Sequence, residues 1–487
     1  MKKILIAASE AIPFIKTGGL ADVVGSLPRY FNKDEYDVRV ILPKYALMEK
    51  PAVCKLRFEC QLYVNLEWRR QYCGILKTEY KGIKYYFVDN EYYFNGDWPY
   101  GDVRWDMEKF AFFSKAVLDS IRYLDWAPDI IHCNDWQTAL IPVYLKTTFG
   151  SDPFYHGIKT VLTIHNMKFQ GRYDINSVMD ITGLPANIFN SDELESYGVA
   201  NYLKGGVVYA DKITTVSPTY AENIQTPLAG EGLDGLMRKR AKDLVGILNG
   251  LDYEEVNPLT NPDIEWPYKN SKAADAKKIN KRKLQEICGL PQTDGVFMIG
   301  MISRMTDQKG FDLVTTVMEE MLSTMDVQFV LLGSGDSRYE NSFRYFQDKY
   351  PTKVNAYIGY HDARASQIYA GCDAFLMPSQ FEPCGLSQMI AMRYGALPIV
   401  RETGGLKDTV EPYNMYEGTG TGFSFKDYNA FDMLHVIRLA ADVYYKKPAS
   451  WNSMVKRAMD KDFSWKVSAG KYEELYDSLF EDLTSVI

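Results

Sequence analysis

The hexad Thr-Gly-Gly-Leu-x-Asp occurs twice in this chain. The first copy is Thr17-Gly18-Gly19-Leu20-Ala21-Asp22, preceded by Lys16, and the second is Thr403-Gly404-Gly405-Leu406-Lys407-Asp408. Each follows an apolar, strand-like run and opens an apolar, helix-like one. Paired glycines let a backbone turn sharply and let another molecule come close to its amides. A helix N-terminus adds free N–H groups and a partial positive charge, which suits phosphate. Two such loops, one per half, predict two nucleotide-fold domains acting on one charged ligand. Two ordinary strand-to-helix turns are the alternative.

Other reactive side chains stand at the ends of strand-like runs. Ser303-Arg304-Met305-Thr306-Asp307-Gln308-Lys309-Gly310 places Arg304 and Lys309 after one such run. Two cations there, with the Thr403–Leu406 amides, could hold a pyrophosphate without metal; a surface ion-pair network is the alternative. In Gln380-Phe381-Glu382-Pro383-Cys384-Gly385-Leu386, a Pro/Gly-framed turn presents Glu382 as an acceptor for hydroxyls, or as a structural cap. Asp135 follows the Ile130–Cys133 run, His165 follows Val161–Ile164, and Tyr360, which could stack on a base, follows Val354–Ile358. The aromatic loop from Tyr92 to Tyr100 could carry sugar faces or simply anchor the core.

The elements that must position these groups alternate along the chain. Ile4–Ala8, Val38–Leu42, Tyr85–Val88, Ile130–Cys133, Val161–Ile164 and Lys212–Val216 read as strands in the first half. Val296–Ile302, Val327–Leu332, Val354–Ile358, Ala374–Met377 and Leu397–Val400 do so in the second. Most are short continuous apolar runs, the pattern of parallel strands covered on both faces. Met107–Tyr123, Phe311–Met321, Gln388–Tyr394 and Phe431–Tyr445 read as helices between or beyond them. Two successive doubly wound α/β domains follow, with a boundary near Asn249-Gly250-Leu251-Asp252. Ligands on such sheets bind outside the strands' carboxyl ends, so the site is expected in the cleft between the two domains.

Composition narrows the class. A chain of 487 residues is too long for one core, and its 46% apolar and 24% charged content is that of a globular protein. The net charge of −8 argues against nucleic acid as the main partner. The basic run Lys277-Lys278-Ile279-Asn280-Lys281-Arg282-Lys283 is the local exception and reads as a solvated helix face. Seven scattered cysteines without a CxxC pair read as reduced thiols in a cytoplasmic protein, and the five histidines have no metal spacing. The start mimics a signal peptide, but its apolar run is short and Glu10 ends it. No run approaches a membrane span of about 20 apolar residues.

Taken together the motifs resemble the bacterial glycogen synthase and plant starch synthase family, glycosyltransferase family five. Lys16-Thr17-Gly18-Gly19-Leu20, Asp135-Trp136, Ile164-His165-Asn166, Leu248-Asn249-Gly250, Ser303-Arg304 with Asp307-Gln308-Lys309-Gly310, and Glu382-Pro383-Cys384-Gly385-Leu386 fall in that family's order. The resemblance implies a GT-B fold of two facing Rossmann-like domains. These are residues 1–248 and 249–462, with a last helix (463–487) crossing back onto the first. It implies retaining transfer of glucose from ADP-glucose to the 4-hydroxyl at an α-1,4-glucan's non-reducing end, without cofactor or metal. Glycogen or a maltooligosaccharide is the implied acceptor, with neither nucleic acid nor membrane as partner.

Carried over by motif, Asp135, His165, Arg304, Lys309 and Glu382 form the catalytic set. The donor set is Lys16, Gly18, Gly19, Asp22, Asn166, Asn249, Tyr360, Cys384, Gly385, Leu386, Thr403, Gly404 and Gly405, and Tyr100 and Trp136 lie on the acceptor side. The chain departs from the pattern at Ile390, where many retaining GT-B enzymes carry a second Glu, and at Asn134, where many relatives carry a His. A UDP-glucose-using synthase, a non-catalytic glucan- or nucleotide-binding protein on this fold, and a phosphorylase-like enzyme are the competing readings. The last needs a cofactor lysine for which no motif is found.

Overall fold

A computed structural model of the chain describes residues 1–48 and 56–481. The chain forms two compact units. One comprises Met1–Val216, Ala221–Gly250 and the chain from Trp465 onward; the other comprises Ser217–Tyr220 and Leu251–Ser464.

The strands of the first unit are β1 (Lys2–Ala7), β2 (Tyr36–Pro43), β3 (Arg57–Leu66), β4 (Arg69–Tyr80), β5 (Ile83–Asp89), β6 (Ile130–Asn134), β7 (Lys159–Ile164), β8 (Arg172–Tyr173), β9 (Glu195–Ser196), β10 (Val199–Asn201), β11 (Lys212–Thr215) and β12 (Leu244–Gly246). Among the described residues nine of them make one sheet, ordered β12-β11-β7-β6-β1-β2-β5-β4-β3, and β8-β10-β9 make a small second one. The six predicted strands are all present and run parallel. The β3–β4 hairpin was not predicted and extends the sheet antiparallel. In β3 only Leu62, Val64 and Leu66 are buried, alternate residues of a strand with one wet face.

The helix Trp465–Glu481 packs within this unit. Trp465, Ala469, Tyr472, Leu475, Tyr476 and Leu479 recur at helical spacing and join a core made by Ile4, Val38, Val40, Tyr85 and Phe87. Burying each large side chain contributes about 1.5–3 kcal/mol, so the helix is an integral wall of the core. Polar ties flank the seam: Tyr36 Oη donates to Asp477 at 2.6 Å, and Ser468 Oγ to the Leu248 carbonyl at 2.6 Å. Residues 482–487 of the predicted final helix lie outside the described residues.

The second unit contains β13 (Phe297–Ile302), β14 (Val327–Gly333), β15 (Val354–Ile358), β16 (Ala374–Met377), β17 (Leu397–Arg401) and β18 (Phe423–Phe425), all parallel, in the order β15-β14-β13-β16-β17-β18. This is the doubly wound order in which the winding reverses between the first and fourth strands. The five predicted strands are present, and the short β18 adds an edge.

The basic run departs from expectation. It lies on the helix Ala273–Cys288, but Lys277 and Lys281 are buried, at 8% and 2% exposure. Lys281 pairs with Asp373 at 2.5 Å and also donates to the Val296 carbonyl at 2.9 Å. Lys277 donates to the carbonyls of Tyr369, Ala370 and Tyr394. Only part of the run, including Lys278 and Arg282, is the solvated face predicted. Six cysteines are free thiols, and Cys54 lies outside the described residues. No helix among the described residues is long and apolar enough to cross a membrane.

Candidate active site

In the first unit the winding reverses between β1 and β6, so the loops after these strands, with that after β7, frame the ligand-binding crevice of such a sheet. They carry Glu10, Lys16–Asp22, Asp135 and His165, and Asn134 is the last residue of β6.

Asp135 adopts φ 57°, ψ −174°, a conformation nearly reserved for glycine that costs on the order of 1–3 kcal/mol. Its neighbours hold it there. Its N–H donates to the Thr163 carbonyl at 2.9 Å, and its Oδ1 accepts the His165 N–H at 2.7 Å. Burial, helped by the charge of Glu10 and opposed by the backbone hydrogen bonds, pushes its carboxyl up to about 7. His165 Nε2 lies 2.9 Å from Asn134 Oδ1, and burial pushes the imidazole down to about 4, so it stays neutral near pH 7. The Asn134 side chain thus orients His165 and also donates to the Ala7 carbonyl at 3.2 Å. That is a definite task for the residue at which the sequence departs from the family's pattern.

The glycine loop after β1 is organised by a residue that the sequence reading took only as the end of an apolar run. Glu10, 4% exposed, accepts the Thr17 N–H, and the Gly18 N–H lowers its pKa as well. Burial outweighs these bonds and raises the carboxyl above its ordinary value. Thr17 and Gly18 therefore turn their amides to Glu10, and the helix Gly19–Ser26 begins behind them with no side-chain cap. A Cβ on Gly19 would meet nothing within 4 Å, so the protein's own packing does not require this glycine. Open space lies in front of the uncapped helix start. Lys16 pairs with Asp22 at 2.7 Å. The one signal for Glu10 in the sequence was an acid three residues beyond a strand's carboxyl end.

The remaining first-unit candidates separate. The Tyr100 hydroxyl lies 2.7 Å from Ser9 Oγ, and burial holds its pKa well above the usual value. Trp136, expected on the acceptor side, is instead packed against Phe110, Tyr173 and Tyr202, with Gly171 against its ring, which leaves little ring face for a sugar. Asn166 is half-buried, and its side chain accepts the Lys168 N–H. Asn249 is buried, and its Oδ1 has no hydrogen-bond partner among the described residues. A buried orphan acceptor of this kind calls for a donor.

In the second unit the reversal lies between β13 and β16, and the two loops that follow them carry Lys309 and Glu382. Lys309 Nζ lies 2.6 Å from Glu382 Oε2, which also accepts from Ser379 Oγ at 3.1 Å. With Gly385 and Leu386 these residues line a cavity of about 80 Å³. Arg304 is exposed and makes no hydrogen bond or ion pair among the described residues. Tyr360 is 77% exposed, with its hydroxyl on Asp362. Cys384 is buried.

The protein itself takes up three amides of the second hexad. The Thr403 N–H donates to the Arg401 carbonyl at 2.9 Å, and Leu406 N–H to Thr403 at 3.1 Å. Gly405 N–H donates to the carbonyls of Glu382 and Pro383 at 3.2 and 3.1 Å. A Cβ on Gly404 or Gly405 would stand 2.0 Å from a carbonyl oxygen, that of Glu382 or of Cys384. These glycines let the helix Gly404–Thr409 pack against the Glu382–Cys384 turn, and so help hold Glu382 in place. Asp408 then accepts the Thr219 N–H and hydroxyl at 2.9 and 2.6 Å. No cluster of three or more His, Cys, Asp or Glu among the described residues is placed to hold a metal ion.

Residues 3–239 match the starch synthase catalytic domain family, and residues 286–455 match glycosyl transferases group 1. The glycogen synthase of Lachnoclostridium phytofermentans is 58% identical over 480 residues, covering 98% of this chain and 100% of that protein. That of Clostridium perfringens is 49% identical over 479 residues, 98% of each. The catalytic domain of Arabidopsis thaliana starch synthase IV, bound to ADP and acarbose, superposes with a TM-score of 0.88 at 32% identity, covering 98% of this chain and 99% of that one. This chain therefore belongs to the glycogen synthase and starch synthase family of glycosyltransferases, enzymes of the GT-B fold.

Proposed function

We propose that the chain elongates an α-1,4-glucan by moving glucose from ADP-glucose to the 4-hydroxyl at the non-reducing end, with retention and without metal. The observation that carries this reading is the placement of Lys309 and Glu382, 2.6 Å apart at the second unit's switch point, beside an unpaired Arg304. The ADP and acarbose held by the starch synthase IV domain support a nucleoside diphosphate and a glucan-like sugar as ligands.

Breaking the bond between glucose C1 and the β-phosphate oxygen leaves positive charge on the sugar and negative charge on the diphosphate. Fixed cations facing that diphosphate stabilise charge that grows in the transition state, where rate is gained. Arg304 and Lys309 take this role. Glu382, released from Lys309, accepts hydroxyls of the glucose. His165, neutral at physiological pH with its Nε2–H given to Asn134, offers Nδ1 as an acceptor to a glucose hydroxyl near C1 without adding charge there. Asp135 lies by the sugar and acceptor, Lys16 and Gly19 face the donor, and Tyr360 lies beside the base. The acceptor 4-oxygen attacks C1 on the face from which the diphosphate leaves, and its proton passes to the departing phosphate oxygen.

Purified protein incubated with glycogen and either ADP-glucose or UDP-glucose, with and without EDTA, tests this reading. ADP release from ADP-glucose alone, dependent on glycogen and indifferent to EDTA, is expected. Release from UDP-glucose alone overturns the base preference, loss of activity with EDTA overturns the metal-free mechanism, and release from neither donor overturns the donor class.

A further inference from the structure

Below the first unit's strand ends, side chains from three strands and the C-terminal helix form one buried hydrogen-bonded line. The Tyr476 hydroxyl lies 2.7 Å from His132 Nδ1, His132 Nε2 lies 2.6 Å from Thr163 Oγ1, and Thr163 Oγ1 lies 2.5 Å from Thr214 Oγ1. Tyr476, Thr163 and Thr214 are fully buried and His132 is 1% exposed. Burial pushes the His132 imidazole down to about 3, with His165 adding to the effect, so it is neutral in the folded protein. A neutral imidazole offers one donor and one acceptor. One flanking hydroxyl must therefore donate to the ring and the other accept from it, and each orientation constrains the other. At this depth of burial, deleting one member leaves a buried polar atom unpaired, so the line acts as a unit.

The line ends under the reacting groups. His132 precedes Asn134 by two residues on β6, and Thr163 precedes His165 by two on and beyond β7, so each pair lies on one face of its strand. The two strands pair in register at Asn134 and Thr163. The Thr163 carbonyl accepts the N–H of Asp135, the residue in the glycine-like conformation. Thr163 thus takes part in both networks, by its side chain in the buried line and by its backbone in the strained turn.

We propose that Tyr476 is a positioning residue for glucose transfer: from the C-terminal helix it holds, through His132 and Thr163, the strand ends on which Asp135 and His165 stand. This rests on reading Asp135 and His165 as site residues of the transferase. Tyr476 touches no substrate and acts only through the line.

Tyr476→Phe removes one hydroxyl and keeps the ring in the core. It should lower kcat about fivefold or more with donor KM within twofold. Thr163→Val cuts the same line from the other side and should do likewise, and the double variant should be no worse than the poorer single. Effects that multiply, or an unchanged kcat, overturn the proposal. A second readout needs no turnover. The chain has five histidines, so 13C-labelled imidazoles can be assigned singly. Tyr476→Phe should shift both His132 and His165 and leave His156, His361 and His435 in place; a shift of His132 alone overturns the proposal. If Tyr476→Phe does not fold, Thr163→Val carries both measurements. Were the wild type to turn over no sugar nucleotide, the donor reading would fall while the imidazole shifts still decided the line.

Discussion

Lys309 and Glu382 face each other across the second unit's switch point at 2.6 Å, and the carboxylate is the more buried partner, with 9% side-chain exposure against 19%. Removing one partner of such a pair is costly because the other is left charged and unpaired. Lys309→Ala strands Glu382 with Ser379 alone and should cost about 3 kcal/mol of stability, whereas Glu382→Ala leaves a lysine able to reach water and should cost less. Both should lower kcat about a hundredfold or more, by comparison with lost oxyanion donors. Denaturant melts beside initial-rate kinetics separate the two effects; equal melts for the two variants would contradict the asymmetry.

Asp135 should make stability depend on pH in a direction unusual for an aspartate. Its folded pKa, about 7, lies above the ordinary 3.8. The folded state therefore holds the proton more tightly than the unfolded chain. The contribution is present below about pH 4 and is lost as pH rises to about 7. The full displacement corresponds to about 4 kcal/mol. Asp135→Asn removes the buried charge but fits the two amide donors less well, so a gain on the order of 2 kcal/mol at pH 8 is expected, and a smaller one at pH 5. Thermal melts at the two pH values check this, with activity of the variant strongly reduced at both.

The two hexads should respond oppositely to the same substitution. Gly19→Ala adds a methyl to open space at a helix start, so the fold should keep its stability or gain up to about 1 kcal/mol. Donor KM should nonetheless rise about tenfold or more, because the methyl enters the space before the free amides. Gly405→Ala drives a methyl against the Cys384 carbonyl, and the second unit should lose several kcal/mol, beyond the usual overpacking range of about 1–3 kcal/mol. Paired melting curves and donor titrations decide it.

Glu10→Gln tests whether the carboxylate shapes the glycine loop. The neutral amide keeps one acceptor for Thr17 N–H and loses the charge that strengthens it. A hydrogen bond to a charged group is worth about 1.5–3 kcal/mol, so donor KM should rise about tenfold with a smaller change in kcat. The variant should also lower the Asp135 pKa, since Glu10 raises it. A pH titration of Asp135 that is unmoved by Glu10→Gln would separate the two carboxyls.

The parallel strands were legible because burial on both faces writes an unbroken apolar run, as in Val327–Leu332. The β3–β4 hairpin was not, because one wet face scatters charges such as Arg57 and Glu59 through it. Arg304, Lys309 and Glu382 were legible as strand-end residues, since the switch point follows from strand order. Glu10 was not, because its task is to hold amides seven residues on, and nothing local marks that. Lys281 looked solvated because its partner, Asp373, is distant in sequence. The packing of the second hexad was hidden for a related reason: how closely a glycine approaches its own protein's backbone is decided by what packs against it, and the Glu382–Cys384 turn is brought there only by folding.

The C-terminal helix gives the order of synthesis a consequence. β1 leaves the ribosome well before the helix that covers it, so a nascent first unit holds Ile4, Val38 and Tyr85 without Trp465, Tyr472 and Tyr476 until that helix emerges. The second unit, nearly contiguous from Leu251 to Ser464, has its sequence complete sooner. The first unit's sequence is thus completed after the second's, against the usual N-terminal-first schedule of domain folding. Chains that stop before Trp465 present an open apolar wall to chaperones and proteases, and only the arrival of that helix shields it.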